Sequence, residues 1–154
     1  MKKNILICIE SFEPAFKFGG PIKSIKNLIL HLSDDFNFYV FTSNRDSGEI
    51  LDLQKSDLDK WLNRDSYNIY YSSVNTFSKK KADLIFSVCE FETVYLNSLF
   101  SFSYSILCLL YFKNKKHKIF LSPRGMLAPG ALSIKPLKKQ LFLRLFKFFN
   151  FHKR

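Results

Sequence analysis

The second part of the sequence contains no acidic residue. Residues 1–92 hold 12 Lys and Arg against 13 Asp and Glu, whereas residues 93–154 hold 12 Lys and Arg and no carboxylate, which together give the net charge of +11. A stretch this basic favours an anionic partner, such as a phosphorylated small molecule, an acidic membrane surface or nucleic acid. No groove-reading motif is recognisable and the aromatic residues are spaced like core residues, so nucleic acid is not an expected partner.

Cysteine is scarce and no apolar run is long. Cys8, Cys89 and Cys108 lie far apart in or beside apolar runs, which indicates buried thiols in a reducing compartment rather than a disulfide framework. The histidines show no metal-ligand spacing. The first apolar run, residues 5–9, is too short for a secretory signal, and residues 99–112 are fewer than the roughly 20 needed to span a bilayer. We therefore expect a cytoplasmic protein with no metal and no spanning helix.

A glycine-containing loop separates the first apolar run from the first amphipathic segment. The run at 5–9 is short and bounded by polar residues, which favours a buried strand. Pro21 suits the first turn of a helix because its missing amide would be unpaired there. Gly19 and Gly20, just before it, either let the backbone approach an anion at the helix N-terminus or simply form a tight turn. Apolar residues then recur with the helical period: Ile22, Ile25, Leu28, Ile29 and Leu32.

The remaining chain alternates between strand-like and helix-like segments. Aromatic and β-branched runs predict strands at residues 37–43, 67–71, 93–98 and 118–122. Apolar spacing predicts helices at 76–89, with a basic turn at 79–81, and at 99–112. A final helix is predicted to start between residues 131 and 137 and to continue to 149, while 44–65 is expected to be a loop with one short helix. About five strands alternating with helices predict one α/β domain, a Rossmann-like doubly wound parallel sheet. Ligands bind such sheets at the carboxyl ends of the strands, where the glycine loop lies.

Three segments, in this order, resemble the N-terminal domain of the family-4 glycosyltransferases (GT4), which have the two-domain GT-B architecture. The first runs from Glu13-Pro14 through Gly19-Gly20-Pro21 and its helix to residues 41–46, and the second is residues 94–100. The third is the most specific. It is Leu121-Ser122-Pro123-Arg124-Gly125-Met126-Leu127, continuing through Gly130-Ala131-Leu132 to Lys135 and Lys138-Lys139. Together the three segments extend over nearly the whole chain.

The resemblance implies a retaining sugar transfer that needs no metal and no tightly bound cofactor. In the family the N-terminal domain holds mainly the acceptor, and a C-terminal domain holds the nucleotide-sugar donor. The two glycines would match the loop that approaches the donor's diphosphate. Asparagine stands at the strand end where many members place a histidine, which puts a base-like role there in question. The Pro-Arg-Gly turn would lie at the cleft, although its arginine could instead cap a loop or helix. The site residues implied are Gly19, Gly20, Asn97, Ser98, Arg124 and Gly125.

The donor-binding domain of the family has no counterpart in residues 1–154. The expected protein is therefore the acceptor-side half of a transferase, either truncated or completed by a separate chain, and inactive alone. Its expected partners are a nucleotide sugar and a glycan or lipid-linked acceptor. The alternative is a non-catalytic basic module, because Lys138, Lys139, Arg144 and Lys147 are interleaved with Leu and Phe over residues 137–149. Such a helix could lie on an anionic membrane at its inner face, or pack on the sheet or a partner chain.

Overall fold

The computed structural model describes residues 2–73, 79–134 and 136–148, which form a mixed α/β fold. Six strands make the main sheet: β1 (Lys3–Cys8), β2 (Phe36–Ser43), β5 (Trp61–Asn63), β6 (Asn68–Ser72), β7 (Thr93–Leu96) and β8 (Lys118–Leu121). A separate hairpin is made by β3 (Arg45–Asp46) and β4 (Glu49–Ile50). The helices are α1 (Gly20–Leu32), α2 (Lys79–Phe86), α3 (Leu107–Phe112), α4 (Pro129–Ser133) and α5 (Pro136–Phe148). No helix in these ranges is long and apolar enough to cross a bilayer.

The order of strands in the main sheet is β5-β6-β2-β1-β7-β8. Every neighbouring pair is parallel except β5 with β6. From β1 the chain builds the sheet outward through β2 and β6, then returns to the other side of β1 with β7 and β8. The strand order therefore reverses between β1 and β7, and a ligand crevice is expected at that switch point. The predicted Rossmann-like parallel sheet is confirmed.

The core lies on both faces of the sheet. Along β1, Leu6 and Cys8 belong to one buried cluster, which includes residues of α2 and α3, and Ile7 belongs to the other, which includes the buried side of α1. Successive side chains of a strand point to opposite faces, so a strand covered on both faces is apolar throughout. This burial explains why β1 reads as an unbroken apolar run.

The prediction of a loop with one short helix at 44–65 was right about a short helix but missed three strands. The segment contains the β3–β4 hairpin, a single 3₁₀ turn at Lys55–Asp57, and the antiparallel edge strand β5, so the main sheet has six strands rather than five. Three residues are too few for a periodic pattern, and β5 is fixed by tertiary contacts. The indole N–H of Trp61 donates a hydrogen bond to the carbonyl of Ile85 at 2.9 Å.

The helix predicted at 76–89 is shorter, and not all of its apolar residues are buried. Residues 79–81, predicted as a basic turn, are the first turn of α2, and the helix ends at Phe86. Leu84 and Val88, which recur in the sequence at helical spacing with Ile85, are exposed. The side chains of α2 that are buried are Ala82, Ile85 and Phe86. The predicted start at 76–78, with Phe77, lies outside the described residues.

The two later helices also differ from their predictions. The segment predicted as a helix at 99–112 begins with a π-helix at Phe102–Ile106, and α3 follows it. The final helix, predicted to start between residues 131 and 137, is α5, which begins at Pro136 within that range, but a separate short helix, α4, precedes it. The two are divided because the residue before a proline is disfavoured in helical conformation. Ile134, at the end of α4, is already extended. Lys135 and Phe149 lie outside the described residues.

Candidate functional site

A small cleft of about 70 Å³ lies at the switch point, beside the carboxyl ends of β1 and β7. Its walls come from the segments that follow three neighbouring parallel strands and from the start of α1. Glu10 and Ser11 follow β1, Asn97 and Ser98 follow β7, Arg124 and Met126 follow β8, and Phe18 and Pro21 flank the start of α1. The topology thus brings three of the predicted site residues together, namely Asn97, Ser98 and Arg124.

The guanidinium of Arg124, which follows β8, bonds to the segment after β7 and to α1. Its Nε donates a hydrogen bond to Oδ1 of Asn97, and its Nη1 donates to Oγ of Ser24, on α1, at 2.9 Å. Both partners are side chains, so in these two contacts Arg124 does not act as a backbone cap. Among the described residues, these contacts use two of the five N–H groups of the guanidinium, so three are left for a ligand.

The backbone at Arg124 is strained. Its φ is +50°, and Gly125 follows with φ +75°. A left-handed conformation costs a non-glycine residue about 1–2 kcal/mol, and strain of this kind is found preferentially at functional sites. Gly125 adopts the same region without that cost. The turn returns the arginine side chain toward β7 and α1.

Asn97 holds a buried hydrogen-bond donor in the wall of the cleft. Its residue is 4% exposed, and its backbone N–H donates to the carbonyl of Cys8 at 2.9 Å. Its Oδ1 accepts the bond from Arg124, while its Nδ2 has no hydrogen-bond partner in the part of the chain that the structure describes. An unsatisfied buried donor costs about 1–3 kcal/mol, and an oxygen of a bound ligand would satisfy it.

Ser98 has a structural role in the same wall. Its Oγ accepts a hydrogen bond from the N–H of Ser101 at 3.3 Å, and its hydroxyl approaches Sδ of Met126 at 3.5 Å. Both contacts organise the turn that leads from β7 toward α3 and hold Met126 over the cleft.

Gly19 and Gly20 lie in sequence between Phe18 and Pro21, which line the cleft, but neither glycine is among the lining residues. Gly19 has φ +54° and precedes α1, so the tight turn before the helix needs the conformational freedom of glycine. Gly20 opens the helix, and a Cβ added to either residue would meet no atom within 4 Å. The space beside both glycines is therefore open, and the helix dipole favours an anion at the N-terminus of α1.

The loop between β1 and α1 is fixed by buried polar contacts. The carboxylate of Asp46, which is 3% exposed, accepts hydrogen bonds from the N–H groups of Phe16 at 2.8 Å and Lys17 at 3.0 Å. The hydroxyl of Tyr71 donates to the carbonyl of Glu13, and burial raises the pKa of Tyr71 to about 12. The loop is therefore in place before any ligand arrives.

Among the polar residues that form or support the cleft, the sequence interpretation did not single out Glu10, Ser11 or Ser24 as site residues. Glu10 and Ser11 could have been found from their position, because they directly follow the first parallel strand. No sequence signal points to Ser24, whose role depends on the approach of Arg124 from far along the chain. The resulting group, an arginine, an asparagine amide and a carboxylate, suits oxygen-rich ligands such as sugars and phosphates.

The fold and the cleft define a Rossmann-like α/β domain with a candidate ligand site at its topological switch point. Comparisons of the chain with protein-family models, with curated proteins and with solved structures found no match. Within the described ranges, no group of three His, Cys, Asp or Glu side chains could hold a metal ion.

Proposed function

We propose that this chain is the acceptor-side domain of a retaining glycosyltransferase of the GT-B type. It would act in the transfer of a sugar from a nucleotide-sugar donor to a glycan or lipid-linked acceptor. The observation that carries the proposal is the bridge from Arg124 to Asn97 and Ser24 beside the unsatisfied amide of Asn97. The three sequence segments that resemble the family contribute to one cleft, although about a hundred residues separate Ser24 from Arg124.

The proposal gives each wall of the cleft a role. Arg124 and the amide of Asn97 donate hydrogen bonds to sugar hydroxyl or phosphate oxygens. Glu10 accepts a hydrogen bond from an acceptor hydroxyl, and the open N-terminus of α1 faces the donor's diphosphate. A cleft of about 70 Å³ is too small to enclose a nucleotide, so it forms one side of a larger site. We still predict that residues 1–154 alone do not transfer a sugar.

The proposal also places the protein in the cytoplasm. Nucleotide sugars are substrates in that compartment, and free thiols persist there because it is reducing. All three cysteines are free, with Cys8 and Cys108 buried and Cys89 partly buried.

Ligand titration of the ¹⁵N-labelled protein tests the site. The ligands are UDP and the methyl glycosides of glucose, galactose and N-acetylglucosamine. Binding is monitored through changes in the amide chemical shifts. We expect at least one sugar or UDP to shift the amides of Ser11, Gly20, Ser98 and Gly125. Arg124→Ala should weaken that binding about tenfold or more, which corresponds to the loss of one or two charge-assisted hydrogen bonds.

The matched control is Arg64→Ala, because Arg64 is exposed and lies before the amino end of β6, at the opposite end of the sheet. This variant should bind as the unmodified protein does. Shifts that appear only away from the cleft, or an equal loss of binding in both variants, would refute the proposed site.

A further inference from the structure

Helix α5 is attached to the domain through one face. The ring of Phe142 packs edge-on against Phe100, with centroids 5.3 Å apart, and lies 5.8 Å from the ring of Phe146. Phe146 packs against the core cluster that contains α2 and α3. Lys139 donates a hydrogen bond from Nζ to the carbonyl of Ala131 at 2.6 Å and lies above the ring of Phe100. The inward face is therefore already occupied by the domain itself.

The opposite face of α5 exposes leucines between cations. Leu137 is 80% exposed and Leu141, one turn later, is 60% exposed. At about 100° per residue, Lys138 lies at one edge of this leucine row and Lys147 at the other, with Arg144 in line with the leucines. All three cations are exposed, and Ile134, just before the helix, is 63% exposed.

We propose that the outward face of α5 binds an anionic lipid bilayer. We define this face by Leu137, Lys138, Leu141, Arg144 and Lys147, with Ile134 at its start. An interfacial helix inserts its apolar row at the headgroup boundary while cations at its edges contact anionic headgroups, and long basic side chains can extend past the apolar row to do so.

Charge complementarity favours an anionic bilayer as the partner of this helix face. The face carries three cations, and no acidic residue occurs anywhere from residue 93 onward, so no carboxylate of the surrounding segment opposes an anionic surface. The apolar row and the cations lie on one helix face, so both would reach the same surface at once. This inference concerns α5 alone and does not depend on sugar transfer at the cleft.

Vesicle flotation tests the proposal with the full chain. We expect the protein to float with vesicles of equal parts phosphatidylglycerol and phosphatidylcholine, and not with phosphatidylcholine alone. Salt at about 0.5 M should reduce binding because it screens the cations. Lys138→Gln/Arg144→Gln/Lys147→Gln and Leu137→Gln/Leu141→Gln should each weaken binding about tenfold or more. Circular dichroism checks that each variant is folded.

Two control variants make the test specific to α5. Lys3→Gln/Lys55→Gln/Lys60→Gln removes the same charge from exposed positions elsewhere, and Leu30→Gln/Leu84→Gln removes exposed leucines from α1 and α2. Each should bind within about twofold of the unmodified protein. The proposal fails if the controls lose as much binding as the α5 variants, or if no variant changes it. It also fails if the leucine variant of α5 abolishes a dimer seen by sedimentation without vesicles, since the face would then bind a second copy.

Discussion

At the scale of single residues, the buried carboxylate of Asp46 has the clearest structural role near the cleft. It is the last residue of β3, three residues after the end of β2, and accepts hydrogen bonds from two successive amides of the loop that precedes α1. Lys17, in the same loop, adds an exposed ion pair with Glu49 of the strand β4, with 2.6 Å between Nζ and the carboxylate. An exposed pair of this kind contributes little, so the buried carboxylate should carry most of the loop's stability.

We predict that Asp46→Asn loosens this loop. An asparagine side chain keeps one carbonyl oxygen but turns an amide toward amides that are themselves donors, so a buried hydrogen bond is lost. The free energy of unfolding should fall by about 1–3 kcal/mol in urea denaturation. The amides of Phe16 and Lys17 should exchange with solvent faster than in the unmodified protein.

Asp52→Asn is the control for this change, because Asp52 is exposed in the segment that follows the same hairpin. It should alter stability by no more than about 0.5 kcal/mol. Unchanged protection of both loop amides in Asp46→Asn would mean that other contacts, such as the one between Tyr71 and Glu13, hold the loop.

At the scale of elements, α5 depends on a small aromatic contact. The described side chains of this helix are exposed or only partly buried. The ring of Phe142 lies between those of Phe100 and Phe146. Residues on the outward face add nothing to this contact because they are exposed. The stability of α5 should therefore be sensitive to Phe142 and insensitive to its neighbour Leu141.

We predict that Phe142→Ala detaches α5 without unfolding the sheet. Full burial of a phenylalanine is worth about 3–5 kcal/mol against alanine, and for this half-buried ring we expect about 2 kcal/mol. Alanine favours helix, so the loss must come from packing. Hydrogen exchange should speed up across α5 and stay unchanged in β1 and β2. Leu141→Ala should leave both unchanged, and equal effects of the two variants would contradict this account.

Elements with strong local patterns could be predicted from the sequence. The strands β1 and β2 show apolar and aromatic runs and the helix α1 shows its helical period, and the fold class follows from the alternation of such segments. The edge strand β5 could not be predicted, because three residues have no readable period and Trp61 is held by Ile85 from another element. The division between α4 and α5 could have been predicted, since Pro136 marks it.

At the scale of the whole molecule, the position of the candidate cleft follows from topology more than from any single motif. Parallel strands place their carboxyl ends at one edge of the sheet, so the segments after β1, β7 and β8 were expected to meet there. The sequence could not show that Arg124 bonds Asn97 and Ser24, nor that Nδ2 of Asn97 has no partner among the described residues. Those facts depend on side-chain geometry across three elements.

The reactivity of the three cysteine thiols can show whether the domain unfolds as one cooperative unit. Cys8, in β1, and Cys108, in α3, are fully buried in the same core cluster, and the Cys108 thiol donates a hydrogen bond to the carbonyl of Ser103 at 3.4 Å. Burial, followed by the contact with Cys108, raises the pKa of the Cys8 thiol. Cys89 is partly exposed, although burial also raises its pKa. Because the thiolate is the reactive form, all three should react slowly in the native protein, and Cys89 should react first.

We therefore predict a two-stage reaction with Ellman's reagent at about pH 8, a value near the ordinary thiol pKa. Cys89 should be modified first, and Cys8 and Cys108 should follow together at a rate that increases with urea as global unfolding does. Mass spectrometry of the peptides identifies each site, and the protein denatured before the reaction provides the control in which all three thiols react rapidly. If Cys108 reacts well before Cys8 at low urea, α3 opens independently of the sheet, and the shared cluster is not one cooperative unit.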